Sequence, residues 1–587
     1  MKSRNIILGA FLCIASVSCS ESEFLDLKPQ GSLSDAVLNS TDGINYLISA
    51  AYSALAGPNT TFGAMNSPVN HWIQGELRAD NAYKGGGGPS DNTNMHRIET
   101  YVVDATHTMM NAWWQSLYHS VKRTNAALIV LNASTPEEIP NIEILKAEMR
   151  VLRAHYYFEL SRHFNKIAWI DETVQEVDYA SISNDIYSRD EILGMIAKEF
   201  EDAAQILPET QSEVGRANKY VAQAYAAKVY LYKAYRQNPS NNALTSIDNA
   251  DLEKVVSLTG NVINSGRYGL LDDFQKLDIT DYENAEESIW AIQYSMNDGA
   301  ILSGFLASSA GHINWSQLLN TPKGPYSGDD FFKSSQDLVN AFKTDANGLP
   351  LLDGSFQDDD YDVVIEQINP NGTKSYINTQ IESTVDPRLD FIIGRINVRW
   401  KTYEEEPVTE HWYRDFNAYG YHFIIRFLVS PEKDMFKGFP WGSSGLNFQI
   451  IRYANVLLWR AEALIELGRQ EEARALINQI RLRAKNSPYV TAWEDKVNFP
   501  TAIDINGYPA IYAINEYPSS GWTQAYARQA LRFETRIENA LEGERFFDLV
   551  RWGIAEETMN KFFRIEENKR VYYKNVKFTS GRDEYYP

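Results

Sequence analysis

Residues 453–484 read YANVLLWRAEALIELGRQEEARALINQIRLRA. Leu457, Ala461 and Leu464 recur at helical spacing, and Gly468 interrupts the run. A second run places Ala473, Leu476, Ile477 and Ile480 on one face. The small side chains of Ala461 and Ala473 let two helices approach closely. Two helices joined by a tight turn over roughly 34 residues make a tetratricopeptide-type unit. Such a unit buries its apolar faces only against neighbours, so several must stack.

The same periodicity recurs toward the N-terminus. It predicts helices over Asp42–Leu55, Asn111–Asn132, Ile142–Phe164, Ser188–Leu207, Tyr220–Tyr235 and Asp251–Ser265. Pro136 and Pro140 mark a loop between the second and third of these. Between about 268 and 447 the texture changes: Gly, Pro, Asp and Asn become frequent, and Glu287–Ser295 (ESIWAIQYS) alternates as a strand does. The reading is a mainly α protein, a tetratricopeptide-like helical-repeat scaffold with long irregular loops and a few short β-strands. Repeats are expected at about 42–267 and 448–560, and loop-rich stretches at about 60–105 and 268–447, within one domain over 19–587. Long loops on a rigid frame are where binding concentrates.

The first residues read as an export signal. Lys2 and Arg4 precede an apolar run from Ile6 to Val17, and small residues lead to Cys19. That run is too short to span a bilayer, which takes roughly 20 residues in a helix. Cys13 lies inside it, so Cys19 is the one thiol expected in a mature chain starting there. Ser16-Val17-Ser18 before Cys19 is similar to a bacterial lipobox, with Ser16 where Leu is usual. Residues 1–18 are therefore read as a lipoprotein signal peptide and Cys19 as the lipidated residue. Several acyl chains on one residue give stable anchoring in a membrane. Removing Lys2 and Arg4 takes the formal charge from −22 to −24. A surface that acidic repels phosphate backbones, so nucleic acid is not an expected partner.

Reactive motifs are sparse. His155, Glu159 and His163 fall at i, i+4 and i+8, which puts the histidines about 12 Å apart along a helix. One zinc ion with Zn–N bonds near 2.1 Å does not bridge that distance, so the face is read as structural. Gly85–Gly88 lacks the GxxxxGK pattern of a phosphate loop. Asp358, Asp359, Asp360 and Asp362 lack the Gly and terminal Glu of a calcium loop. No catalytic residue, metal or cofactor is assigned.

Six stretches then carry a resemblance. They are CSESEFLDLKPQG (19–31), KAEMRVLRAHYYFELSRHF (146–164), GRYGLLDDFQKL with ENAEESIWAIQYS (266–277 and 283–295), IIRYANVLLWRAEAL (450–464), LINQIRLRA (476–484) and ENALEGERFFDLVRWG (538–553). In this order, behind a lipobox, they resemble the SusD/RagB family over nearly the whole mature length. The resemblance implies a helical scaffold decorated by loops, on the outer face of the outer membrane. It implies a TonB-dependent SusC-like transporter as partner, an oligosaccharide or polysaccharide as ligand, and binding without cleavage. Within the closing signature, Glu542, Arg545, Asp548 and Arg551 are read as structural charges that pack the last helix onto the repeats.

A pyranose shows a patch of C–H groups on its face and hydroxyls on its rim, so Trp or Tyr rings with a few polar side chains suit it. In the family, contacts come from the loops after the first helix and after the central strand. Those regions here offer Trp72, Asp80 and Tyr83, then Tyr294, Asn314, Trp315 and Tyr326; Arg78 and Asn81 also lie in the first. The expected platform is Trp72, Tyr83 and Trp315, with Asp80 and Asn314 reading hydroxyls. Trp290, Trp113 and Trp114 are read as core, while Trp412 and Trp441 lie in loops. A peptide-binding lid of the same architecture is an alternative. So is a surface polysaccharide hydrolase, since a glycosidase carboxylate pair follows no sequence spacing.

Overall fold

The computed structural model describes residues 40–56, 71–296, 298, 313–314, 316, 319–378, 382–401, 407–435, 443–492 and 507–579. Six long helices dominate the described N-terminal half: α1 (Thr41–Ala56), α2 (Thr108–Ala133), α3 (Ile142–His163), α4 (Arg189–Ile206), α5 (Lys219–Ala234) and α6 (Asn249–Asn264). Each packs on the next in sequence. The row then continues across a jump in the chain: α6 packs on α7 (Tyr453–Glu466), and α7 on α8 (Gln470–Asn486) and α9 (Gln524–Glu538). The loop-rich residues between α6 and α7 are thus an excursion from one continuous helical row. Two shorter helices, α10 (Arg545–Arg551) and α11 (Ala555–Glu566), close the chain.

Local chemistry sets the helix ends. The Ser188 hydroxyl accepts from the Glu191 N–H at 3.3 Å, and the Glu191 carboxylate accepts from the Ser188 N–H at 2.8 Å, a reciprocal cap on α4. Between α7 and α8, Gly468 takes φ +77°, a left-handed conformation that glycine adopts without steric cost. Ala461 and Ala473 are fully buried on either side of that turn. Helix α5 is buried on nearly every face, as its central place in the row requires.

Two strand pairs tie the excursion back to the row. Strand Ser288–Ile292 runs antiparallel to Phe448–Arg452, with Trp290 opposite Ile451, so the two ends of the excursion are hydrogen-bonded together. Strand Ala82–Gly85 pairs antiparallel with Phe331–Ser334, with Tyr83 opposite Lys333, and joins the first loop region to the second.

Buried ion pairs hold this junction. Arg452 reaches Glu287 at 2.9 Å and Glu538 at 2.7 Å; Arg483 reaches Glu287 at 2.9 Å and also Glu538. Arg388 pairs with Asp386 and Glu534, and Arg481 with the same Glu534. Removing one member of such a pair leaves a buried charge, at a cost of about 3–5 kcal/mol. The closing signature does the structural work expected of it: Glu542 pairs with Arg452 and Arg426, Arg545 with Asp80, and Arg551 with Asp548 and Glu462. No helix of the described residues is long and apolar enough to cross a membrane.

Candidate functional site

The segments expected to bind converge, but their rings face inward. Trp72 lies on the short helix His71–Gly75 and is 5 % exposed. It stacks on Phe332 with centroids 4.7 Å apart and planes 24° apart. Its neighbour His71 meets the edge of Phe448 at 5.4 Å. Segment 443–449 then gathers the second region. The Asn314 N–H donates to the Ser444 carbonyl and its amide to the Leu446 carbonyl, both at 2.8 Å. The Tyr294 N–H donates to the Asn447 side chain at 2.8 Å. Residues far apart in sequence thus form one floor.

A cavity of about 30 Å³ lies in this floor between Trp72, Phe332, Phe448, Asn320, Thr321 and Arg426. It has room for about one water and none for a sugar ring. Polar groups nonetheless collect here. The Asn320 carbonyl oxygen and the Thr321 hydroxyl are buried there with no hydrogen-bond partner among the described residues. Buried polar groups are satisfied in the great majority of cases, so these two orphans mark a place for a water.

Six of the expected contact residues are engaged within the fold. Asp80 is held by guanidinium groups: both its oxygens accept from Arg545 at 2.8 Å, and Arg536 approaches at 3.3 Å. Against its own burial, Arg536 and Arg545 hold its carboxyl well below the usual carboxylate range. Tyr83 is fully buried, donates to Glu566 at 2.7 Å, accepts from the Gln336 N–H, and carries Arg570 over its ring at 4.1 Å. Tyr326 donates to the Val429 carbonyl at 2.7 Å and packs edge-on against Trp400 and Trp412 in a small separate apolar cluster. Trp72 and Tyr294 are likewise core in ring position, and Asn314 spends its amide on backbone. Trp315 and Trp441 lie outside the described residues, as does Cys19.

Trp290 is core as expected, its indole N–H donating to the Gly215 carbonyl at 3.1 Å, and Trp113 is buried. Trp412 is buried too. Trp114 differs: it is only partly buried. His155, Glu159 and His163 sit in a closed polar cluster with His71, Arg162 and Glu544. No group of His, Cys, Asp and Glu among the described residues is arranged to hold a metal ion.

A helical row interrupted by a loop excursion, with a buried floor where its loops meet, defines a class of repeat scaffold that presents a loop-built face. Two family models match the chain: one described as SusD family over residues 286–586, and one described as "Starch-binding associating with outer membrane" over residues 23–231. The chain belongs to the SusD family. It is 22% identical over 603 residues to SusD-like protein P25 of Formosa agariphila, covering 98% of this chain and 95% of that one. A SusD-like protein of Bacteroides ovatus is 25% identical over 298 residues, half of each chain. Among solved structures, a laminarin-binding SusD-like protein superposes with a TM-score of 0.62 at 20% identity, over 92% of this chain and 99% of that one. A SusD-like carbohydrate-binding protein of Bacteroides fragilis gives 0.62 at 20% identity over 89% and 88%. The fold expected from the sequence is the fold found.

Proposed function

We propose that this protein captures oligosaccharide or polysaccharide at the cell surface and passes it, uncleaved, to a TonB-dependent SusC-like transporter in the outer membrane. Cys19 is the lipidated anchor in this reading, and the chain faces the exterior. The observation that carries the glycan assignment is that the two loop regions expected to bind converge on one floor, at Trp72 and at Asn314 and Asn320. The family description and the laminarin-binding neighbour support it. Trp315, next to Asn314 in the chain, is the indole proposed to stack on a sugar.

Affinity gels containing starch, laminarin, xylan, mannan, alginate or pectate test this with the mature chain. Retardation by at least one polysaccharide, and not by casein-derived peptides in competition, is expected. Trp315→Ala should weaken that retardation about tenfold, the loss of roughly 1–1.5 kcal/mol carried by one aromatic contact. Retardation by none, or displacement by peptides, would contradict the assignment.

A further inference from the structure

We infer that the first helical hairpin carries a second glycan site, remote in sequence from the loop-built face. This rests on the glycan-binding reading above and extends it. An open groove of about 590 Å³ runs between α2 and the segment from Ala168 to Asn184. That volume lies within the roughly 300–1,000 Å³ of small-ligand sites, and is about twentyfold that of the cavity in the floor.

The groove is built rather than incidental. Its floor is a pair of half-buried rings, Trp114 and Tyr118, with centroids 4.8 Å apart and planes tilted by 51°. Phe164 supports the indole edge-on at 5.0 Å. The Tyr118 hydroxyl both donates to the Ala168 carbonyl and accepts from the Ala168 N–H, each at 2.8 Å. Two residues on, the Ile170 carbonyl accepts from Tyr157 at 2.8 Å and from the Asn125 amide at 3.0 Å. The far wall is therefore fixed to the helices at two points, and the rings are held in place without ligand.

The lining chemistry selects the ligand class. Gln115 and His119 stand exposed on the α2 rim; Tyr179, Ser183 and Asn184 face them from the other side. The one ammonium of the lining, Lys122, is paired with Glu176 at 2.5 Å. An aromatic floor between uncharged donors and acceptors fits a neutral pyranose chain: rings cover the C–H faces while amides and hydroxyls read the rim. It offers no concentration of positive charge for a uronate or sulfate.

Two sites on one chain would hold a polysaccharide by avidity, which can exceed either affinity by about 10²–10⁴. The test uses the mature chain, the neutral polysaccharide that retards it, and a defined oligosaccharide cut from that polymer. The variants are Gln115→Ala with Tyr179→Ala on opposite rims, Trp114→Leu to keep bulk but remove the indole, and Trp315→Ala. Calorimetry should count two oligosaccharides per wild-type chain and one in each groove variant. Polymer retention should fall about tenfold or more in the groove variants with the melting temperature of the double rim variant unchanged. One oligosaccharide per wild-type chain, with retention untouched by the rim variant and abolished by Trp315→Ala, would overturn the groove site and leave the proposed function standing. Binding to no polysaccharide would remove both.

Discussion

At Asp80 a carboxylate suited to reading sugar hydroxyls is taken up by two guanidinium groups instead. Asp80→Ala would leave Arg536 and Arg545 buried without that partner, at a cost of about 3–5 kcal/mol. Calorimetric melting should show a drop of several degrees; an unchanged melting temperature would contradict the clamp. Because the folded carboxyl titrates below its unfolded value, its contribution is present above the unfolded pKa and is lost only in strong acid. The sequence did not reveal this role. Asp80 and Arg545 are separated by 465 positions, and no local pattern distinguishes a buried clamp from an exposed polar residue. The same holds for Trp72, whose ring is covered by Phe332, and for Tyr83, whose hydroxyl is bound by Glu566. Trp114 erred in the other direction: heading a helix suggests core, but one side of its ring lines a groove.

Among the elements, the helices were legible and their burial was not. All six N-terminal helices lie within three residues of the boundaries that apolar periodicity predicts, because period and caps are local. Helix α3 illustrates a feature that needs the tertiary structure. His155 and His163, with His71 from the short helix before α2, are buried around Glu159, Arg162, Lys228, Tyr225 and Glu544. Burial pushes the imidazoles down to about 4, 3 and 3 for His71, His155 and His163, despite the nearby Glu159. Unfolded histidine titrates near 6.5, so as pH falls from there toward 4 the unfolded chain binds protons the folded chain does not. The histidines' own contribution to stability should fall with acid across that window, by up to about 1.4 kcal/mol per pH unit for each. Glu76, Glu283 and Asp548, whose carboxyls burial pushes up to about 8, 7 and 6, contribute in the opposite sense. Imidazole Cε1–H resonances followed by NMR from pH 7 to pH 5 should stay untitrated for these three histidines; titration near 6.5 would contradict their burial.

Gly75 makes the other element-level prediction. A Cβ there would stand 1.7 Å from the Gly543 carbonyl oxygen, so the short helix and the turn before α10 touch backbone to backbone. Gly75→Ala should cost about 1–3 kcal/mol or more through forced separation. It should also loosen the floor, read as faster hydrogen exchange at Trp72 and Phe448. Wild-type exchange and melting in that variant would contradict the close approach.

For the whole molecule, the architecture separates two tasks. The helical row supplies stability through nearest-neighbour packing. The excursion between α6 and α7 is set apart from the row, because the strand pair Ser288–Ile292 with Phe448–Arg452 closes it at its base. Sequence alone showed the row and located the excursion by its Gly, Pro and Asp content. It did not show how the loops turn their rings, since that depends on contacts between the two loop regions such as Ala82 with Ser334. Capture without cleavage is the central claim, and size-exclusion chromatography with light scattering tests it in one run. The mature chain, mixed with the polysaccharide that retards it, should co-elute with the polymer while the polymer keeps its molar mass. A polymer that shortens on incubation, or a chain that elutes alone beside every polysaccharide tried, would contradict the account.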